Sequence, residues 1–234
     1  EKIIMKKQII ALCLIGLALT ACNKEKSVQL DSELKKESYA NGYLVGSNIK
    51  PQLDYLAQYN VQIDAEAMIQ GIKDSMLDKR ALTEEEVQQF YSQLQNRLIS
   101  SLNELRDKNL ETGAVFLKDN KSKSGVVALA SGLQYKVVKK GSGAKPGSND
   151  TVTVHYRGRF LDGNEFDSSY QYNQPVQFNL QQVIEGWTEA LQLMPVGSTW
   201  EIYVPANLAY GDQGNGVIEP GKTLVFDIEL ISID

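Results

Sequence analysis

Residues 151–159 read Thr-Val-Thr-Val-His-Tyr-Arg-Gly-Arg. Val152, Val154 and Tyr156 alternate with Thr153, His155 and Arg157, the period of two expected of a strand with one buried face. The same alternation returns in Trp200, Ile202 and Val204 against Glu201 and Tyr203. It returns again in Leu224, Phe226, Ile228 and Leu230 against Val225, Asp227 and Glu229. Tyr135, Val137 and Val138 make a shorter strand, followed by the turn signals Gly141-Ser142-Gly143 and Lys145-Pro146-Gly147. Between these strands Ile184, Trp187, Leu191 and Met194 recur at helical spacing over residues 183–194. A short helix lying on one face of a small antiparallel sheet is an α+β arrangement. The strand period begins near Ser131, so this domain is expected over residues 131–234.

Upstream, residues 32–121 carry a helical period and form an expected all-α domain. Ser32 can cap a helix bearing Leu34, Tyr39, Tyr43 and Leu44, with Ser38, Gly42 and Gly46 as a small-residue stripe that would either let two helices approach closely or merely weaken the local helix. Pro51 is expected to end or kink it. Asp64 can cap a second helix with Met68, Ile69, Ile72 and Met76 on one face. Thr83 and Glu86 form a capping box opening a long helix over about 84–117, which at ~1.5 Å per residue spans roughly 50 Å. Its stripe of Phe90, Leu94, Leu98, Leu102 and Leu105 is too long to bury on two short helices, and calls for a partner chain, a bundle or a spacer role.

The chain has 234 residues, 42% apolar and 23% charged, with net charge −5. That is a folded composition, and it carries no basic excess to hold nucleic acid. The start, Met5 to Cys22, reads MKKQIIALCLIGLALTAC. Lys6 and Lys7 precede an apolar run too short to span a membrane but suited to a secretory signal. Leu19-Thr20-Ala21-Cys22 resembles a bacterial lipobox. It implies a signal peptide over residues 1–21, lipid on Cys22, and a polar tether over 22–31. A plain signal cut elsewhere and a buried core helix are the other readings. Asn23, where an aspartate would favour inner-membrane retention, points to the outer membrane.

Little in the chain offers conventional catalysis. His155 is the sole histidine and Cys13 and Cys22 the sole cysteines, which excludes most imidazole- and thiolate-rich metal sites. His155 falls on the polar side of its strand, the position of a surface or satisfied ring rather than of a base. No serine sits in a G-x-S-x-G elbow. Gly216 to Thr223 matches the phosphate-loop consensus by letter, but a strand follows where a helix is required, and Pro220 removes an amide from the cradle. Asp162, Glu165 and Asp167 lack calcium-loop spacing. What remains is a stock of rings near turns, namely Tyr156, Phe166, Phe178, Trp187, Tyr210 and Phe226. They fit either an ordinary core or a pocket.

Five motifs fall in order: Val154-His155-Tyr156-Arg157-Gly158; Asp162-Gly163 with Phe166-Asp167-Ser168-Ser169; Val183-Ile184 with Gly186-Trp187 and Ala190-Leu191; Leu208-Ala209-Tyr210-Gly211; and Thr223 to Leu230. In these the chain closely resembles the FKBP-type peptidyl-prolyl cis-trans isomerases. With its helical arm it resembles the bacterial subgroup that includes the macrophage infectivity potentiator proteins. The resemblance implies an apolar pocket floored by Trp187 and walled by Tyr156, Phe178 and Phe226. Val183 and Ile184 would form an edge, with the Ile184 amide donating to a substrate carbonyl. Tyr210 would offer its hydroxyl, Phe166 and Asp167 would line the far side, and Val217 and Ile218 would stand at the rim. Val176 replaces a frequent aromatic, Glu219 replaces the first of two frequent prolines, and the loop Asp212–Gly216 is short.

It further implies proline-containing polypeptides as substrates, a homodimer held by the arm, and sensitivity to macrolide-type inhibitors. Neither cofactor nor metal would be needed. The chain would sit in the cell envelope, on the outer membrane by its lipid alone and facing periplasm or surface. A holdase chaperone whose arm does the main work is the alternative, and a purely adhesive lipoprotein a weaker one.

Overall fold

The computed structural model describes residues 28–234, so the expected signal segment, the lipobox-like stretch and both cysteines lie outside the described residues. By contacts the chain forms two compact units, residues up to Lys50 and residues from Pro51 onward. The first unit carries most of α1, whose full extent is Glu33–Gln58. The Ser32 hydroxyl accepts the Lys35 amide at 3.3 Å, as its place before the helix predicts. No residue of α1 is buried, and Leu34, Tyr39, Tyr43 and Leu44 are exposed. A Cβ at Gly42 or Gly46 would meet nothing within 4 Å.

Of the two outcomes expected at Pro51, an end or a kink, the first does not occur: helix α1 runs through it to Gln58. A proline inside a helix removes one amide donor. Here Ser47, whose carbonyl loses that donor, is exposed, so water can take its place.

In the second unit, α2 (Ala65–Met76) is capped by Asp64, whose Oδ1 accepts the Ala67 amide at 2.8 Å. Helix α3 (Glu84–Asn120) opens on the expected capping box: the Thr83 amide donates to Glu86 Oε2 at 2.8 Å, and the Glu86 amide to Thr83 Oγ1 at 3.2 Å. The expected stripe stays partly exposed. What α3 buries instead is Asn109, Gly113 and Asn120, one face of its last turns. That face meets the sheet. Asn120 Nδ2 donates to Gln134 Oε1 at 3.0 Å, and the Phe116 ring lies 5.8 Å from that of Tyr203.

The sheet has seven strands, β1 (Val126–Ala128), β2 (Gln134–Lys139), β3 (Thr151–Arg159), β4 (Glu165–Ser168), β5 (Val176–Asn179), β6 (Thr199–Val204) and β7 (Leu224–Ile233). Their order is β1-β2-β6-β7-β3-β4, with β5 also on β3, and every pairing is antiparallel. Strand β3 is the hub. One edge pairs with β7, and the other is shared by β5 along its first half and β4 along its second.

The inward residues read from the alternation, Val152, Val154, Trp200, Ile202, Val204, Leu224, Ile228 and Leu230, are buried. They pack with Trp187, Ala190 and Leu191 of α4 (Glu185–Leu193) as one core. Gly186 lets α4 close onto β6, since a Cβ there would collide with Val204 Cγ1. His155 is satisfied rather than free: Nδ1 lies 3.0 Å from Ser169 Oγ, and the ring stacks on Tyr170. Strand β7 begins directly after Thr223, the context that excludes a phosphate loop.

Candidate active site

The sheet and α4 together deliver rings to one place. Strand β3 sets Tyr156. Phe178 is held opposite Val152 by the β5 register, and Phe226 opposite Gly158 by the β7 register. Phe166 and Asp167 arrive on β4, where Asp167 faces Gly158. Gly158 is the residue that makes room. A Cβ built there would lie 2.6 Å from the Phe166 ring and 3.0 Å from that of Phe226. The segment before α4 supplies Val183 and Ile184, its first turn Trp187, and the chain beyond β6 Tyr210.

These residues line a cavity of about 230 Å³: Tyr156, Phe166, Asp167, Phe178, Gln182, Val183, Ile184, Trp187, Tyr210 and Phe226. That is below the ~300–1,000 Å³ of sites for drug-sized ligands, and on the scale of one ring with its flanking chain. Trp187 is the centre of the cluster. Its ring meets Tyr156 at 5.2 Å, Phe178 at 5.4 Å and Phe226 at 5.4 Å, each edge to face at 80–85°. Aromatic quadrupoles favour that packing over a sandwich. Phe166 stands edge-on to Phe226 at 5.7 Å.

The polar side chains in the lining include those of Tyr156, Asp167, Gln182 and Tyr210. The Tyr156 hydroxyl donates to Asp167 Oδ2 at 2.7 Å. Burial, then this hydrogen bond and the carboxylate charge, push the Tyr156 phenol well above its ordinary range. Burial, then the charge of Asp167, also raises Tyr210. Both phenols therefore stay neutral donors at physiological pH. The Ile184 amide, at the N-cap of α4, meets no backbone acceptor among the described residues. The buried Trp187 Nε1 likewise has no protein partner, a cost that packing alone does not explain.

Two residues differ from the sequence expectation. Ile218 does not stand at the rim but is buried in the core at 2% exposure. Asn215 Oδ1 accepts the amides of Val217 and Ile218, a tight turn that leaves Val217 outside and Ile218 inside. Gln182 lines the cavity and carried no sequence signal, being an exposed polar residue in a connecting segment.

Comparison with known proteins matches this architecture on both sides. Residues 142–231 match the family described as FKBP-type peptidyl-prolyl cis-trans isomerase, and residues 34–137 the domain amino-terminal to it. The chain is 42% identical to the outer membrane protein MIP of Legionella longbeachae, over 98% of both chains. It is 40% identical to the peptidyl-prolyl cis-trans isomerase Mip of Coxiella burnetii, over 98% of this chain and 99% of that one. Among solved structures it is similar to FkpA from Escherichia coli, with a TM-score of 0.65 and 32% identity over 88% of this chain and 99% of the other. Both domains and nearly the whole length are thus accounted for, and the chain belongs to the FKBP-type peptidyl-prolyl cis-trans isomerases, whose reaction is rotation about the X-Pro bond.

Proposed function

We propose that the aromatic cavity is where this rotation is accelerated, with Trp187 as its floor. The observation that carries the reading is the packing of three rings edge-on around the Trp187 indole in a site with one carboxylate. An X-Pro bond rotates slowly because its resonance must be broken, a barrier of roughly 20 kcal/mol. The twisted imide is less polar than the planar one. An apolar hollow therefore favours it relative to water, and each ~1.4 kcal/mol of such preference is a factor of ten in rate. The Ile184 amide and the Tyr210 hydroxyl hold carbonyls of the flanking chain, while Phe166, Asp167, Phe178, Val183 and Phe226 shape the walls. No nucleophile or general base takes part. The protein from residue 23 onward, assayed on a short Xaa-Pro peptide, is expected to exceed the thermal rate; no acceleration overturns the reading.

The division of labour proposed is a helical dimerisation domain over 32–121 and an isomerase domain over 131–234. The exposed Leu34, Tyr39, Tyr43 and Leu44 of α1, with the open space beside Gly42 and Gly46, support a second copy of the chain as the cover of that face. Sedimentation as a monomer at high micromolar concentration removes this. The lipobox supports an envelope lipoprotein anchored through Cys22, in keeping with the outer membrane name of the Legionella relative. Mass spectrometry of the membrane fraction should find the acylated Cys22.

A holdase role is a second reading, favoured by the exposure of Phe90, Tyr91 and Ile99 along α3. Aggregation protection that survives pocket mutations would assign it to the arm.

A further inference from the structure

The Pro220–Gly221 peptide is held at both ends by different parts of the second unit. Its carbonyl accepts a hydrogen bond from Asn109 Nδ2 of α3 at 2.8 Å, in a buried contact. Its N–H donates to the Gly211 carbonyl at 3.0 Å. Gly211 is the residue after Tyr210. The Tyr210 carbonyl in turn accepts the Gly214 amide at 3.1 Å, and the Gly211 amide donates back to Ala206 at 2.8 Å. One peptide plane thus joins the arm helix to the turn that carries a cavity hydroxyl.

The approach on the helix side is backbone to backbone. A Cβ at Gly221 would lie 2.6 Å from the Arg106 carbonyl, and its φ of +74° already favours glycine. One turn on, a Cβ at Gly113 would collide with Thr223 Oγ1. Asn109 is 7% exposed and also lies 3.3 Å from Glu219 Oε2, which Lys222 neutralises at 3.1 Å. A buried amide on a helix face is costly unless bonded. Its two acceptors both belong to this one loop.

We propose that Asn109 is a positioning residue for catalysis: by fixing the Pro220–Gly221 peptide it sets the turn that places the Tyr210 hydroxyl, so the last turns of α3 are part of the isomerase site. This rests on the role given above to Tyr210. It implies that the arm tunes the pocket as well as carrying it. A shift of α3 against the loop would be felt at Tyr210 without any contact between α3 and substrate.

The test is a double-mutant cycle on the full chain, read as kcat/KM on an Xaa-Pro peptide. Tyr210→Phe is expected to lose about fivefold, and Asn109→Ala about threefold in the Tyr210 protein but under about 1.5-fold in the Tyr210→Phe background. Equal losses from Asn109→Ala in both backgrounds, or none, overturn the proposal. A fully active Asn109→Ala beside an impaired Tyr210→Phe sinks the brace alone, whereas an unimpaired Tyr210→Phe sinks the role of Tyr210 and the brace with it. Should Asn109→Ala fold poorly, Gly113→Ala presses the same helix face off Thr223 and must show the same dependence on background. Amide exchange at Gly221 gives an independent readout: it should quicken in Asn109→Ala while exchange in β3 and β7 does not.

Discussion

The Tyr156 hydroxyl donates to Asp167 Oδ2 at 2.7 Å, tying the central strand β3 to the edge strand β4 across the cavity wall. Asp167 itself is exposed and Tyr156 buried, so the bond fixes the ring rather than the carboxylate. Replacing Asp167 by Ala frees the phenol to turn and widens the wall. The expected loss in kcat/KM is about fivefold, the share of a hydrogen bond worth about 1 kcal/mol. An unchanged kcat/KM, measured on the peptide, would show that the ring is held by Trp187 and Phe178 alone.

The raised phenols set the pH dependence. Tyr156 and Tyr210 hold their protons more tightly folded than unfolded, from burial first and Asp167 second. Their contribution to stability is therefore complete below the unfolded phenol value of about 10, and is lost as pH rises beyond it. Peptide isomerisation should be flat across roughly pH 6–9, because neither phenol titrates there and no histidine lines the cavity. The melting temperature should fall above about pH 10, less steeply in Tyr156→Phe than in the parent. A midpoint near neutrality in the rate profile would require a titrating group that the proposed pocket lacks.

Gly158→Ala probes the wall without touching a functional group. The added methyl would press on the Phe166 and Phe226 rings, at 2.6 and 3.0 Å before relaxation. Overpacking of this kind costs about 1–3 kcal/mol. Because both rings line the cavity, kcat/KM should fall further than a loss of folded fraction explains. Thermal melts beside the peptide assay separate the two. A variant that is destabilised but fully active per folded molecule would mean the walls yield freely.

Much of this was legible locally. Asp64 and Thr83 cap the starts of helices through side chains that reach only three residues along, so their chemistry is visible in the sequence. Strands β3, β6 and β7 are long enough for alternation to show which face is buried. Strands β1, β4 and β5, with three or four residues each, are not, because their pairing is dictated by β2 and β3 rather than by their own period. Asn109 and Gly113 were invisible for a related reason. A polar amide and a missing side chain, buried on a helix with a half-exposed apolar stripe, acquire meaning only through the loop they meet. Ile218 lies inside rather than at the rim because Asn215 turns the chain inward there, which no hydrophobic pattern records. The five motifs around the cavity carried the family, since each brings one wall.

The floor of the pocket should matter more than its hydroxyls. Trp187 touches Tyr156, Phe178 and Phe226, and only 4% of it is exposed. Trp187→Ala removes the surface on which a proline ring would rest, and should lower kcat/KM by well over about tenfold, whereas Tyr210→Phe removes one hydrogen bond and should cost about fivefold. A buried Trp→Ala change also destabilises by about 3–5 kcal/mol, a large part of a typical domain's stability. Trp187→Leu is therefore the sharper variant. It keeps apolar volume and loses the flat ring, so it should remain folded and fall between the other two in activity. The order Trp187→Ala, Trp187→Leu, Tyr210→Phe, from most to least impaired, follows from catalysis by an apolar surface. The reverse order, with Tyr210→Phe the most damaging among folded variants, would move the origin of the rate from desolvation of the imide to hydrogen bonding of the chain that flanks it.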